Sequence, residues 1–194
     1  MSDRPPRGEP VFRKGPFTET ALDSESVFRG KLLHVKRDRV RLPDGNEATR
    51  EYIVHPGAVV IIALTPAGDI VLERQFRYPL AREFYELPAG KIDPGEDTAE
   101  TARRELAEET GYAAERWTRI SEFHPSIGYS NERIELYLAR GITQAERKLD
   151  EDEFLEVMHV PVAEAMMWIR DGRITEAKAV MALLWAEKLL RKEW

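Results

Sequence analysis

The order of apolar patterns along this chain predicts an α/β (α+β) fold, a mixed sheet with helices between and after its strands. Three observations carry that expectation. Ala58–Leu64 (AVVIIAL) is a continuous apolar run of strand length, as expected for a strand covered on both faces. Val27–Leu42 alternates apolar and polar residues, clearest in LLHVKRDRVRL, as a half-buried strand does. Thr98–Thr110 and Thr175–Lys192 place their apolar residues at helical spacing.

The elements follow in order. Ser2–Pro16, with four prolines, reads as a frayed arm. Val27–Leu42, the turn Pro43-Asp44-Gly45 and Asn46–Val54 read as a β-hairpin unit over residues 1–54, ahead of a main domain over 55–194. In that domain Ala58–Leu64, the turn at Pro66–Asp69, Ile70–Phe76 and Glu83–Leu87 are strands. Trp117–Phe123, Glu132–Ala139 and Leu155–Val160 are further strands, and Gln144–Phe154 is an acidic loop. Pro161 opens a helix that Asp171-Gly172 ends, and a last amphipathic helix runs to Lys192. Trp168 and Trp185 fall in the apolar stripes of these two helices.

Composition narrows the function classes. With 194 residues and 42% hydrophobic content the chain can bury a core. A net charge of −6, from 29 basic and 35 acidic residues, argues against general nucleic-acid or membrane-surface binding. The absence of cysteine removes disulfides, thiolate metal sites and a thiol nucleophile. No apolar run reaches membrane length and Met1–Pro10 has no signal-like core, so a cytoplasmic protein is expected. His34, His55, His124 and His159 are scattered without metal-ligand spacing.

The chemistry concentrates in residues 90–112, GKIDPGEDTAETARRELAEETGY. Asp97 with Glu100 suits a capping box, and Gly111 suits a C-terminal stop. On a helical wheel Ala99, Ala102 and Leu106 share one stripe. Glu105, Glu108 and Glu109 fall within an adjoining arc of about 100°. Like charges at this spacing repel, and a divalent cation would turn repulsion into binding. Oxygen ligands favour a hard ion, Mg²⁺ or alternatively Mn²⁺, that reaches for substrate phosphates.

The stretch resembles the Nudix box, GX5EX7REUXEEXGU, through Gly90, Glu96, Arg104, Glu105, Leu106, Glu108, Glu109 and Gly111; Tyr112 is aromatic where the pattern has a bulky apolar residue. REYIVHPGAVVIIAL, LERQFRYPL, YELPAGKI and SNERIELYLA resemble the ADP-ribose pyrophosphatase branch of that family. The resemblance implies an α/β/α sandwich and hydrolysis of a nucleoside diphosphate sugar, ADP-ribose giving AMP and ribose 5-phosphate. It implies metal ligation by Glu105, Glu109 and the Ala89 carbonyl, with Glu108 assisting and Glu96 anchoring the loop through Arg104. Arg77 and Arg50 become phosphate or substrate contacts, and Glu132 lies near bound substrate. The general base falls in the acidic loop, where Glu151 is favoured over Glu153. Strand exchange in that branch implies a homodimer through the N-terminal hairpin. One departure concerns specificity: Ser126-Ile127-Gly128 stands where ADP-ribose enzymes carry Ser-Pro-Gly. GDP-mannose or another sugar nucleotide is therefore the alternative substrate. A non-catalytic ADP-ribose-binding module is the alternative class, against which the intact box argues.

Overall fold

Every residue of β4 (Ala58–Leu64) is buried, because its two faces meet two different cores. Val59, Ile61 and Ala63 pack on one side with Ala102 and Leu106; Val60, Ile62 and Leu64 pack on the other with Trp168, Ala179 and Leu183. This period-2 division explains a run with no polar face. The computed structural model describes residues 15–149 and 153–193. The chain forms two compact units, residues 1–54 with 128–130, and residues 55–127 with 131–194.

In the larger unit a seven-stranded mixed sheet has the core order β10-β5-β4-β9-β8. Its other central members are β5 (Asp69–Arg77) and β9 (Ile134–Gln144), with β8 (Tyr112–Phe123) and β10 (Leu155–Pro161) outside them. β4 and β9 run parallel from Ala58↔Ile134 to Leu64↔Arg140. β4 meets β5 only at Leu64↔Ile70 and the two then part. β6 (Arg82–Glu86) pairs with β5, and β7 (Ala89–Lys91) pairs with β4. Helix α1 (Thr98–Thr110) covers one face; α2 (Val162–Arg170) and α3 (Ala177–Leu190) cover the other. The result is the three-layer α/β/α sandwich expected. β7 escaped the sequence reading, because three residues beside a proline carry no periodicity.

In the smaller unit β1 (Thr20–Arg29), β2 (His34–Arg41) and β3 (Glu47–Ile53) form an antiparallel sheet. The single strand expected over Val27–Leu42 is two, broken where the Gly30 N–H bonds the Leu33 carbonyl (2.8 Å). The hairpin is therefore a three-stranded sheet. β1 escaped notice because TALDSESVFR is polar and exposed along most of its length. Charge pairs knit it to β2: Arg37–Glu25 and Arg39–Asp23, both at 2.8 Å. Residues 128–130 count with this unit, since the Ile53 N–H donates to the Tyr129 carbonyl (2.8 Å). The arm expected over Ser2–Pro16 lies almost wholly outside the described residues. Among the described residues no helix is long and apolar enough to cross a membrane.

Leu106 is fully buried where α1 meets the sheet. Leu106→Ala removes that contact and leaves a cavity, so it should destabilise the larger unit by about 2–5 kcal/mol. A urea titration followed by tryptophan fluorescence measures the change.

Candidate functional site

Helix α1 is fixed at both ends by the residues that the sequence suggests. The Asp97 carboxylate accepts the Ala99 N–H (2.9 Å), and Gly111 closes the helix at φ 72°. With Leu106 turned to the sheet, Glu109 is buried, Glu105 nearly so and Glu108 part-exposed. The helix thus carries its acidic edge down with its apolar stripe. β7 passes so close that a Cβ on Gly90 would lie 1.9 Å from the Glu105 carboxyl carbon. Only glycine fits that approach. One residue earlier, the Ala89 N–H donates to Glu109 Oε2 (3.0 Å). β7 and α1 therefore bring Ala89, Glu105 and Glu109 to one place.

Arg104 organises the outer edge. Its Nε and Nη2 donate to both oxygens of Glu96 (3.0 and 2.9 Å), and its Nη1 to Glu105 (2.8 Å) and Glu108 (3.0 Å). The Glu96–Arg104 anchor expected from the sequence is present. Hydrogen bonds from Arg104 hold the Glu96 carboxyl down at about 2. Glu105 goes the other way, up to about 7, because burial outweighs its share of the same guanidinium. Arg104 itself is raised, with Glu96 the largest cause. One cation divided among three carboxylates leaves the most buried of them under-compensated.

A third side of the cluster was missed by sequence reasoning. Glu73 on β5 is buried, and it faces α1 as its neighbour Val71 does, two residues away. Burial raises Glu109 first, followed by the charges of Glu73 and Glu105. Glu73 is raised as well, by burial and then by Glu86. Glu86 lies directly opposite Glu73 on β6 and is also buried. It is compensated: Arg77 grips it through Nε (2.7 Å) and Nη2 (2.9 Å), and Lys178 Nζ lies 3.7 Å away. Arg77, expected as a phosphate contact, thus spends one edge of its fork on Glu86.

The loop after β9 is latched to the end of α1. Arg147 Nε donates to the Glu109 carbonyl (2.6 Å) and its Nη2 to the Leu155 carbonyl (3.1 Å). The Lys148 N–H reaches the Glu108 carbonyl (3.2 Å), and the Ala145 N–H the Gly111 carbonyl (2.7 Å). These donors satisfy carbonyls that a helix C-terminus leaves open. The latch brings Glu153 close enough for its charge to raise Glu73, Glu105 and Glu109. Glu151 lies outside the described residues. Glu132 stands before β9 with His55 Nε2 at 4.0 Å. Arg50, on β3 of the smaller unit, donates to Glu19 through Nε (2.9 Å) and Nη2.

Buried carboxylates in mutual repulsion, with a backbone turn at their side, are a donor set suited to a hard cation. Among the described residues no three acidic or histidine side chains stand ready-assembled around one point. Glu105 would have to exchange Arg104 for the ion.

Two outcomes follow from this geometry. Gly90→Ala pushes on the mobile end of Glu105 and not on backbone, so the protein should fold with little change in Tm. Its activity should fall more than tenfold, because the displaced carboxylate belongs to the cluster; steady-state kinetics beside a melting curve checks both. The pH dependence of the metal-free protein has a definite sign. Glu73, Glu105 and Glu109 have folded pKa values above the ordinary 4.5. Their contribution is complete below about 4.5 and is lost as pH rises through about 7 for Glu105, the other two extending the loss. Glu96 acts oppositely, its contribution lost as pH falls from 4.5 towards about 2. Tm in EDTA should therefore decline from pH 5 to pH 8, and saturating Mg²⁺ should flatten the decline.

Comparison with known proteins agrees with the geometry. The NUDIX domain model matches residues 54–183, and the nucleoside diphosphate sugar hydrolase N-terminal domain matches residues 19–53. The chain is 41% identical over 169 residues to the methanol dehydrogenase activator of Bacillus methanolicus, covering 86% of this chain and 91% of that one. It is 40% identical over 167 residues to the ADP-ribose pyrophosphatase of Bacillus subtilis (strain 168), covering 85% and 90%. The crystal structure of an ADP compounds hydrolase superposes with a TM-score of 0.83 at 26% identity, over 93% of this chain and 98% of that one. A box helix that sets Glu105 against Gly90, in an α/β/α sandwich that the family model spans, makes this chain a member of the Nudix hydrolase family.

Proposed function

We propose that this protein hydrolyses the pyrophosphate bond of a nucleoside diphosphate sugar, ADP-ribose first, to AMP and ribose 5-phosphate. The observation that carries this reading is the gathering of Glu105, Glu109 and the Ala89 turn beside a latched loop that bears Glu153. The names of its relatives support the substrate class. The cation is Mg²⁺, with Mn²⁺ the alternative, and it would be held by Glu105, Glu109 and the Ala89 carbonyl with Glu108 assisting. When bound, such an ion neutralises pyrophosphate charge and lowers the pKa of a coordinated water.

The protein's own groups do the rest. The acidic loop supplies the base that takes the proton of the attacking water, Glu151 first and Glu153 second; a carboxylate outside the box keeps its lone pairs open to accept. Water adds hydroxyl to one phosphorus, the bridging oxygen leaves with the other phosphate, and the proton ends on the leaving group. Arg77 is held edge-on by Glu86, and its Nη1 makes no hydrogen bond among the described residues. That remaining nitrogen is the donor offered to phosphate. Arg50 and Glu132 are the further substrate contacts in this reading. Ile127, exposed in the loop that distinguishes substrates, keeps GDP-mannose and other sugar nucleotides as the second reading.

The smaller unit supports a homodimer. Phe17, Val27, Phe28, Leu32 and Leu33 are exposed on or beside a three-stranded sheet that needs cover.

Four measurements test these readings. A panel of sugar nucleotides with Mg²⁺, with products identified by chromatography, should show AMP from ADP-ribose as the fastest product; no turnover of any member would end the hydrolase reading. Glu109→Gln should lower kcat at saturating Mg²⁺ by well over tenfold, that is, by more than about 1.4 kcal/mol of barrier. Of Glu151→Gln and Glu153→Gln, the base variant should lose kcat with Mg²⁺ affinity intact. Light scattering at micromolar concentration should give twice the chain mass; a fully active monomer overturns the dimer.

A further inference from the structure

Four buried carboxylates occupy the sheet-to-α1 side of the larger unit, Glu73, Glu86, Glu109 and Glu135, and their compensation is unequal. Glu135 accepts from Arg119 Nε and from the Thr98 hydroxyl. Glu86 has the Arg77 fork and Lys178. Glu109 accepts the Ala89 N–H. Glu73 is 3% exposed, and its Oε1 is sealed from solvent with no hydrogen-bond partner among the described residues. A buried carboxylate left so is costly, and the register offers no relief. Its lateral neighbours are Val157 on β10 and Glu86 on β6, one apolar and one of like charge. The two cations whose charge is felt at Glu73 are both engaged elsewhere, Arg147 with the Glu109 and Leu155 carbonyls and Arg77 with the Glu86 carboxylate. A valine would fill this position between Val71 and the flanking Val157 without any such cost. Among the described residues Glu73 thus lacks a bonded positive partner, and a cation from outside the chain would supply one.

We propose that Glu73 is a further carboxylate ligand of the divalent cation at the Glu109 centre, reaching it from β5 while the box residues reach it from α1. This rests on reading that centre as a metal site. It adds a negative charge on the side of the sheet, opposite the helix that supplies Glu105 and Glu109. Ligand charge count and site rigidity tune affinity for hard cations, so a further carboxylate gives tighter binding than the box glutamates alone.

The test is Mn²⁺ binding by the full chain, followed by calorimetry and by the loss of the free-ion electron paramagnetic resonance signal. Wild type, Glu73→Gln, Glu73→Val and Glu109→Gln are compared. Gln keeps the shape of the protonated acid, and Val keeps the strand packing, so at least one of the Glu73 variants stays folded. Glu73→Gln and Glu73→Val should each bind Mn²⁺ at least tenfold more weakly than wild type, and the rise in Tm on adding Mn²⁺ should shrink in both. Both should melt no lower than wild type in EDTA at pH 8, since each removes an uncompensated buried acid. If wild type binds and Glu109→Gln does not, while Glu73→Gln matches wild type, Glu73 is a neutral buried acid and this proposal fails alone. If wild type binds no Mn²⁺, or Glu109→Gln binds as tightly, the metal reading of the centre fails and the proposal with it.

Discussion

The larger unit depends on one constraint: α1 must bury an apolar stripe and an acidic edge in the same docking event. Leu106 and Ala102 bring the helix onto β4, and that contact carries Glu109 out of water. Hydrophobic burial is large enough to drag a carboxylate with it only if the carboxylate finds compensation. The Ala89 N–H supplies part of it, which ties the short strand β7 to the helix. Gly90 then lets Glu105 lie against the backbone where any side chain would collide. The divergence of β4 from β5 makes room for this turn, because β6 and β7 occupy the space that a continuous ladder would close.

Compensation is graded across the cluster, and the grading assigns roles. Glu96 has two guanidinium bonds, which hold its carboxyl well below the usual range and keep it charged near neutral pH. Glu108 is part-exposed and shares Arg104 by one bond. Glu105 has one bond and little solvent; Glu109 has a backbone amide and less. The residues best placed for a cation are thus those that the fold leaves least satisfied. A structural ion-pair network would distribute its charge to satisfy every member, and this one does not. Chemistry at a pyrophosphate needs that imbalance, since a fully paired carboxylate has no lone pair to offer.

The loop that carries Glu153 is held by a device of ordinary helix physics. The last turn of α1 presents open carbonyls, and Arg147, Lys148 and Ala145 donate to them. The same contacts hold residues 145–148 against the end of α1. The carboxylate of Glu153 lies in range of three others.

Much of this was legible in the sequence, for local reasons. The ends of α1 follow from Asp97 and Gly111, the all-buried β4 from its unbroken apolar run, and the Glu96 anchor from the spacing to Arg104. Each is decided by neighbours in the chain, where period and propensity act. The three-stranded form of the smaller sheet was not legible, because β1 is nearly all exposed and leaves no alternating trace. Glu73 and Glu86 were not legible either. Glu73 lies in a stretch of β5 buried on both faces and Glu86 at the end of a five-residue strand, so no pattern says which way either side chain points. The signal was present in DIVLERQFR, a glutamate in phase with Val71, but its meaning required a partner strand and a helix from elsewhere in the chain. Sequence thus determined the box helix and the spacing of its carboxylates. Tertiary structure alone decided which carboxylates share one buried space, because burial and repulsion are set by distance through space and not along the chain.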